Sequence, residues 1–321
     1  MSEFEMGGYL PLELSSGCAF FRHTDPAEIL AVNTGRTALR CAIDSLGVHR
    51  VCAPAFYCPD ILAMLRQMDI ELSLYRMGPD FRPLSLPDDP DTAVILVNYF
   101  GVTEACVQES LSRCRRAVID NAHAFFVPPV LRSGVMNVYS CRKFVGVCDG
   151  AYLIGQGIRA PGMERDVSYP RSMHLLQCCE TGTNGAYALS RANEEALDGR
   201  YLAMSRLTER LLDSIDYDAV RDARRRNFLC LHRALSGCQL LSLRDDGRMA
   251  PYMYPLLLDR DLHRALVERH IYVPVLWSQL LSHSWDGSVE QRYSRNIVPL
   301  PIDQRYSAED MAQLAQIVQA I

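Results

Sequence analysis

The sequence predicts an α/β fold: a mainly parallel central sheet with helices on both faces, followed by a smaller C-terminal α+β unit. Three observations carry this. Strand-like and helix-like segments alternate through the first half of the chain. Residues 92–98, Thr-Ala-Val-Ile-Leu-Val-Asn, form an apolar run of the length that a strand buried on both faces requires. Beyond residue 190 the alternation gives way to helical pattern rich in Arg, Glu and Leu, then to a strand–helix–strand unit.

After a loop-rich start, helical periodicity covers residues 37–46 and a short apolar run at 51–54 reads as strand. A helix follows at 59–68, strands at 71–75 and 92–98, and a helix at 104–114. Strands are expected at 117–119, 135–139 and 150–154. Residues 190–235 read as helices bridging two parts, a large domain over 1–205 and a small one over 206–321. In the small part, strands at 253–258 and 271–275 flank a helix at 261–270. Residues 307–321 form a closing helix, with Ser307 and Asp310 spaced as an N-terminal capping pair.

Composition narrows the function classes. The chain has 321 residues, 49% hydrophobic and 22% charged, enough for a substantial core. A net charge of −5 offers no basic footprint for nucleic acid, and Arg224, Arg225 and Arg226 read as a solvated helix face. No stretch approaches the length of a membrane span. The N-terminal residues lack the basic start and apolar run of a secretory signal, so a cytoplasmic location is expected. The twelve cysteines contain no C-x-x-C spacing; they read as reduced thiols, and no metal site is expected.

Of 33 lysines and arginines, Lys143 is the only lysine. Arginine codon bias explains the arginines but not the survivor. A guanidinium supplies positive charge, yet it stays protonated and cannot attack a carbonyl. A single retained amine is therefore a candidate Schiff-base nucleophile.

Four segments give it company. Asn33-Thr34-Gly35-Arg36-Thr37-Ala38-Leu39 is a small-residue turn opening a helix, a ready anion site. Phe56 and Tyr57 follow a strand, where an aromatic can stack on a flat ring or simply pack in the core. Asp120-Asn121-Ala122-His123 ends a buried strand, where open α/β sheets bind ligands. Ser140-Cys141-Arg142-Lys143 follows another strand, with Asp149-Gly150 six residues beyond the lysine.

In this order the segments resemble fold-type-I pyridoxal-phosphate enzymes, and more narrowly the DegT/DnrJ/EryC1/StrS sugar aminotransferases. Gly35-Arg36-Thr37-Ala38-Leu39 is similar to that family's phosphate turn, Asp120-x-Ala122-His123 to its Asp-x-Ala-Gln, and Lys143 with Asp149-Gly150-Ala151 to its lysine and Glu-Gly-Gly turn. The chain departs from the pattern at Arg36, in the Asp-Gly-Ala turn and at Ala186, where an arginine commonly follows the family's Gly-x-Asn loop. The resemblance implies a PLP-dependent aminotransferase with Lys143 as Schiff-base lysine and proton carrier. It implies Asp120 at the pyridinium nitrogen and His123 near the phenolic oxygen. Gly35, Arg36, Thr37 and Ser140 would hold the phosphate, and Tyr57, or alternatively Phe56, would cover the ring. It also implies a homodimer in which Asn184, in a Gly182-Thr183-Asn184 loop, reaches the neighbouring copy's phosphate.

The partners so implied are an amino-acid donor, by resemblance glutamate, and a keto-sugar acceptor carried on a nucleotide. Tyr9, Asn98, Tyr99, Trp277 and Arg305 are candidate substrate contacts, although Arg305 is equally placed to pair with Asp303. Fold does not dictate reaction, so PLP-dependent elimination, racemisation or C–C chemistry on an amino acid stays open, as does a non-catalytic binding module.

Overall fold

Strands β1 (Ile29–Val32), β2 (Arg50–Pro54), β3 (Glu71–Tyr75), β4 (Thr92–Val97), β5 (Arg116–Asp120), β6 (Val135–Ser140) and β7 (Ala151–Gly155) form one sheet. Its order is β1-β7-β6-β5-β4-β2-β3. Strands β2 to β6 run parallel, whereas β7 is antiparallel to both neighbours. The structure is a computed structural model and describes residues 10–160, 162–197, 199–243, 247 and 249–321.

Both faces of the sheet are covered, which is why β4 and β6 are buried along their whole length. Alternate residues Val51, Ala53, Ile95 and Val118 pack against Leu39, Ala42 and Ile43 of helix α1 (Gly35–Leu46) and against Leu62 and Leu65 of α2 (Pro59–Gln67). Their neighbours Cys52, Val94, Leu96 and Ile119 face the other way, onto Val107 and Leu111 of α3 (Glu104–Leu111). Helix α1 is delimited locally. The Thr34 side chain accepts from the Thr37 N–H at its start, and Gly47 ends it in the left-handed region at φ 61°.

Three helices connect the sheet to the C-terminal unit: α4 (Met173–Ala196), α5 (Arg206–Asp213) and α6 (Tyr217–Leu235). The unit holds strands β8 (Met253–Leu257) and β9 (Ile297–Pro301), paired antiparallel, with α7 (His263–Val267), α8 (Val289–Asn296) and α9 (Ala308–Ala320). The Ser307–Asp310 capping box forms as the spacing predicts. Apolar packing crosses residue 205: Leu257, Leu280, Tyr293 and Ile297 share a cluster with α1 and α2 residues. Glu290, wholly buried, accepts from Arg76 Nε and the Met77 N–H at 2.9 Å each, tying α8 to the end of β3.

Four expectations change. Residues 271–275 are not a strand, and β8 pairs instead with β9. Pro299 and Pro301 hid β9 from the sequence, but Pro299 faces Pro255 in this two-stranded ladder, where edge positions tolerate a missing N–H. The helix expected at 261–270 shortens to α7, and the Ile271 N–H turns back onto the Leu266 carbonyl. The short edge strand β1 was not anticipated. The helical stretch begins at Met173, so Gly182-Thr183-Asn184 lies in a helix kinked at Gly182 (φ 75°) rather than in a loop. No helix among the described residues is long and apolar enough to cross a membrane.

The turn after β4 brings the C-terminal unit against the sheet. Gly101 has φ 79°, and a Cβ there would lie 2.5 Å from the His123 carbonyl oxygen and 3.1 Å from Pro251 Cα. Gly101→Ala combines backbone strain with a backbone clash and should cost about 2–4 kcal/mol. Denaturant unfolding measures it; an unchanged midpoint would contradict this packing.

Candidate active site

The carboxyl ends of β4, β5 and β6 lie side by side, with Val97 opposite Asp120 and Asp120 opposite Val138. Chemistry-bearing residues collect just past these ends. Asp120 closes β5 and is buried. Its Oδ2 accepts from the Tyr57 hydroxyl at 2.5 Å, and its Oδ1 accepts from the Ala122 N–H at 2.8 Å. Burial raises its pKa above the ordinary carboxylate value, while these two donors and the Lys143 charge pull it back. Tyr57 is held well above its usual value by burial and by Asp120, so it stays protonated and donates.

His123 is buried three residues further on. The Phe100 N–H points at its Nδ1 (3.3 Å), which assigns the ring proton to Nε2. Phe100 reaches this position in a left-handed conformation, φ 56°. Burial and the Lys143 charge lower the His123 pKa well below its usual value, so the ring is neutral and presents an N–H donor.

Lys143 ends a one-turn 3-10 helix, Cys141–Lys143, directly after β6. It is half-buried, with Nζ 5.0 Å from the centre of the Tyr252 ring. That ring stacks on His123 at 4.8 Å and 24°. The turn that follows is anchored by Asp149, whose carboxylate accepts from the Ser205 N–H (2.8 Å), the Ser205 hydroxyl (2.7 Å) and the Thr208 hydroxyl (2.5 Å) at the start of α5. Gly150 (φ 116°) donates its N–H to the Asn33 carbonyl at 2.6 Å, drawing the head of α1 onto the lysine loop.

At that head, Thr37 turns inward. Its hydroxyl donates to Asn33 Oδ1 (2.7 Å), and its N–H is taken by Thr34. The Gly35 and Arg36 amides are first-turn donors with no partner inside the helix. Ser140 and Arg142 come from the lysine segment. The Arg36 guanidinium donates to the Leu197 carbonyl at 2.7 Å and lies close enough to Arg142 to lower its pKa, after burial. Arg142 also pairs with Glu194. The result is a cationic pole at a helix N-terminus beside a neutral histidine, a buried carboxylate and an amine.

This architecture has relatives among solved structures. Sugar aminotransferase CalS13 from Micromonospora echinospora aligns over 91% of this chain and 87% of its own, with 16% identity and a TM-score of 0.61. DesV from S. venezuelae, solved with a ketimine intermediate, aligns over 92% and 85%, with 15% identity and a TM-score of 0.62. The chain shares the fold of these two structures. Spr1654 from Streptococcus pneumoniae, solved in apo, PMP and PLP forms, shares it; its apo form covers 94% and 87%, with 13% identity and a TM-score of 0.62. DesI, solved with its TDP-sugar product, aligns at 14% identity and a TM-score of 0.57 over 91% and 80%. No protein-family model and no curated protein matches the sequence.

On this fold, the structure brings Lys143, Asp120, His123 and Tyr57 together, with Ser140 three residues before the lysine and Gly35 and Arg36 at the head of α1, which the Gly150–Asn33 hydrogen bond joins to the lysine loop. The remaining candidates fall elsewhere or inside the protein. Asn98 is buried, and its Oδ1 accepts from Thr103. The Tyr99 hydroxyl donates to the Phe56 carbonyl at 2.7 Å. Trp277 packs edge-on to Phe56 at 4.3 Å in a left-handed conformation, φ 58°. Arg305 pairs with Asp303 at 2.7 and 2.9 Å. Asn184 is exposed and donates to the Tyr272 hydroxyl at 3.2 Å. Tyr9 lies outside the described residues.

Three residues at the site escaped the sequence reading: Tyr252, Arg224 and Gln304. Arg224 is not a solvated residue but a buried one, and burial lowers its pKa to about 10. Its signal was present, since it shares helical spacing with Val220, Phe228 and Leu231, the buried stripe of α6.

The neutral state of His123 has a stability consequence. Its folded pKa is depressed, so below the ordinary histidine value of about 6.5 the unfolded chain binds a proton that the folded chain does not. Stability is therefore lost as pH falls below about 6.5. His123→Gln should reduce the loss between pH 7.5 and 5.5 by about 1 kcal/mol. Urea unfolding at both pH values tests this, and equal losses in the two proteins would refute it.

Proposed function

We propose that this chain is a pyridoxal-phosphate-dependent aminotransferase that moves an amino group from an amino-acid donor to a keto-sugar. One observation carries the reading: the sole lysine, a buried carboxylate and a neutral histidine converge at the carboxyl ends of β5 and β6, beside a cationic helix N-terminus. The likeness to sugar-aminotransferase structures supports it.

The residues fit that cofactor chemically. Asp120 is a desolvated carboxylate that a protonated pyridine nitrogen would neutralise. His123 Nε2–H would donate to the ring's phenolic oxygen. The Gly35 and Arg36 amides, the Ser140 hydroxyl and the cationic side chains of Arg36 and Arg142 would hold the phosphate. Thr37 would act indirectly, fixing the turn through Asn33. Tyr57 is better placed to orient Asp120 than to cover the ring.

When bound, the cofactor supplies an electron sink for the charge left at the donor's Cα. The chain's residues do the rest. Asp120 keeps the ring nitrogen protonated, and the Tyr57 hydroxyl keeps Asp120 ionised and aligned. Lys143 Nζ takes up the Cα proton and releases it again, a transfer that a guanidinium cannot perform. Tyr252, Phe144 and Phe100 give this side of the site an apolar wall.

Further parts of the proposal are glutamate as donor, a nucleotide-linked sugar as acceptor, a cytoplasmic homodimer with Asn184 at the neighbouring copy's site, and a division into large and small domains near residue 205. Pyridoxal phosphate should give a visible absorbance band that borohydride traps on the peptide containing Lys143. Lys143→Ala should lose the band and at least about 10³-fold of the activity. Glutamate should shift the band toward the pyridoxamine form; no shift with any amino donor would sink the aminotransferase reading.

A further inference from the structure

We propose that Arg224, on α6, is a positioning residue that holds the Lys143 amine against Tyr252 and His123. The inference rests on the reading of Lys143 as the reacting amine. It concerns how the protein aims that amine.

A lysine at the end of a single 3-10 turn has no helix or strand to fix its backbone. The carbonyls of Lys143 and Phe144 need donors from elsewhere. Arg224 supplies them. Its Nη2 approaches the Lys143 carbonyl oxygen at 3.5 Å and that of Phe144 at 3.4 Å. Its Nη1 donates to the Pro251 carbonyl at 3.3 Å and the Tyr252 carbonyl at 3.1 Å. Its Nε donates to Gln304 Oε1 at 3.2 Å, and Gln304 Nε2 donates in turn to the Phe144 carbonyl at 2.8 Å. The guanidinium carbon lies 4.6 Å from the centre of the Phe144 ring.

One planar fork thus joins two segments that meet nowhere in sequence. One carries Lys143; the other carries Tyr252, whose ring lies 5.0 Å from Nζ and stacks on His123. A second hydrogen bond, from the Tyr252 N–H to the Phe100 carbonyl at 2.8 Å, ties the same segment to the residue that orients His123. Moving the guanidinium would move amine and histidine relative to each other. Lysine could not replace this fork, because one ammonium cannot span four carbonyls and a carboxamide in fixed directions.

The sole lysine makes the test direct. Full-length protein labelled with ¹³C-lysine gives one set of side-chain resonances, all from Lys143. In the wild type free of pyridoxal phosphate, where Lys143 is an amine, the ε-CH₂ signal should be displaced by the Tyr252 ring current. In Arg224→Met it should collapse toward the free-lysine position. Its kcat should fall at least tenfold while the donor KM stays within about threefold, because aim is lost rather than donor binding. Circular dichroism and thermal melts establish that the variant is folded.

If Arg224→Met does not fold, Gln304→Leu decides, since it removes one grip on Phe144 and the Nε acceptor while the guanidinium keeps its four carbonyl contacts. It should move the resonance in the same direction by a smaller amount. A folded Arg224→Met, or failing that Gln304→Leu, with wild-type resonance and kcat would overturn the proposal. Failure of borohydride to trap pyridoxal phosphate on wild-type Lys143 would instead overturn the functional reading, while the resonance would still report on the grip.

Discussion

Taking the Asp120 carboxylate out of water costs several kcal/mol unless donors replace the solvent it gives up. The site is organised around that requirement. The Tyr57 hydroxyl comes from the segment after β2, the Ala122 N–H from the turn after β5, and the Lys143 charge from the turn after β6. They meet only because the sheet places β4, β5 and β6 next to one another with β2 beside β4. A change of strand order would leave a buried carboxylate without its donors. The parallel core and the site are thus one arrangement.

Charge is distributed across this group of residues with a direction. Arg36, Arg142 and the head of α1 make one end positive, and Asp120 makes the other negative. Between them stand groups that burial keeps neutral, His123 and Tyr57. A ligand with an anionic group at one end and a protonated ring nitrogen at the other is oriented by that field before any close contact forms. The proposed cofactor has this polarity.

Much of this was legible because it is local. Lys143, Asp120 and His123 sit at strand ends, where a few residues of spacing set their placement. The strands at 71–75 and 92–98 and the capping pair at Ser307 were likewise written in short windows. What escaped depends on contacts distant in sequence, or on residues whose ordinary habits mislead. Prolines concealed β9. The family resemblance suggested a loop at residues 182–184, where α4 only kinks. Asn98 and Tyr99 occupy a ligand-like position, yet tertiary packing turns their polar atoms inward. Arg224 stood in a run of three arginines, and helical phase alone separates the buried one from its less buried neighbours.

The span of those distant contacts bears on how the protein is made. Gln304 grips a carbonyl 160 residues upstream, and Arg224 grips one 81 residues upstream. Contacts of such separation form late, after the entropy of closing long loops has been met. During synthesis, the segment carrying Lys143 leaves the ribosome well before either clamp exists. Until residues 224 and 304 have followed, the Lys143 and Phe144 carbonyls lack these donors. On the positioning proposed for Arg224, a chain cut short of that residue would carry the lysine without its aim.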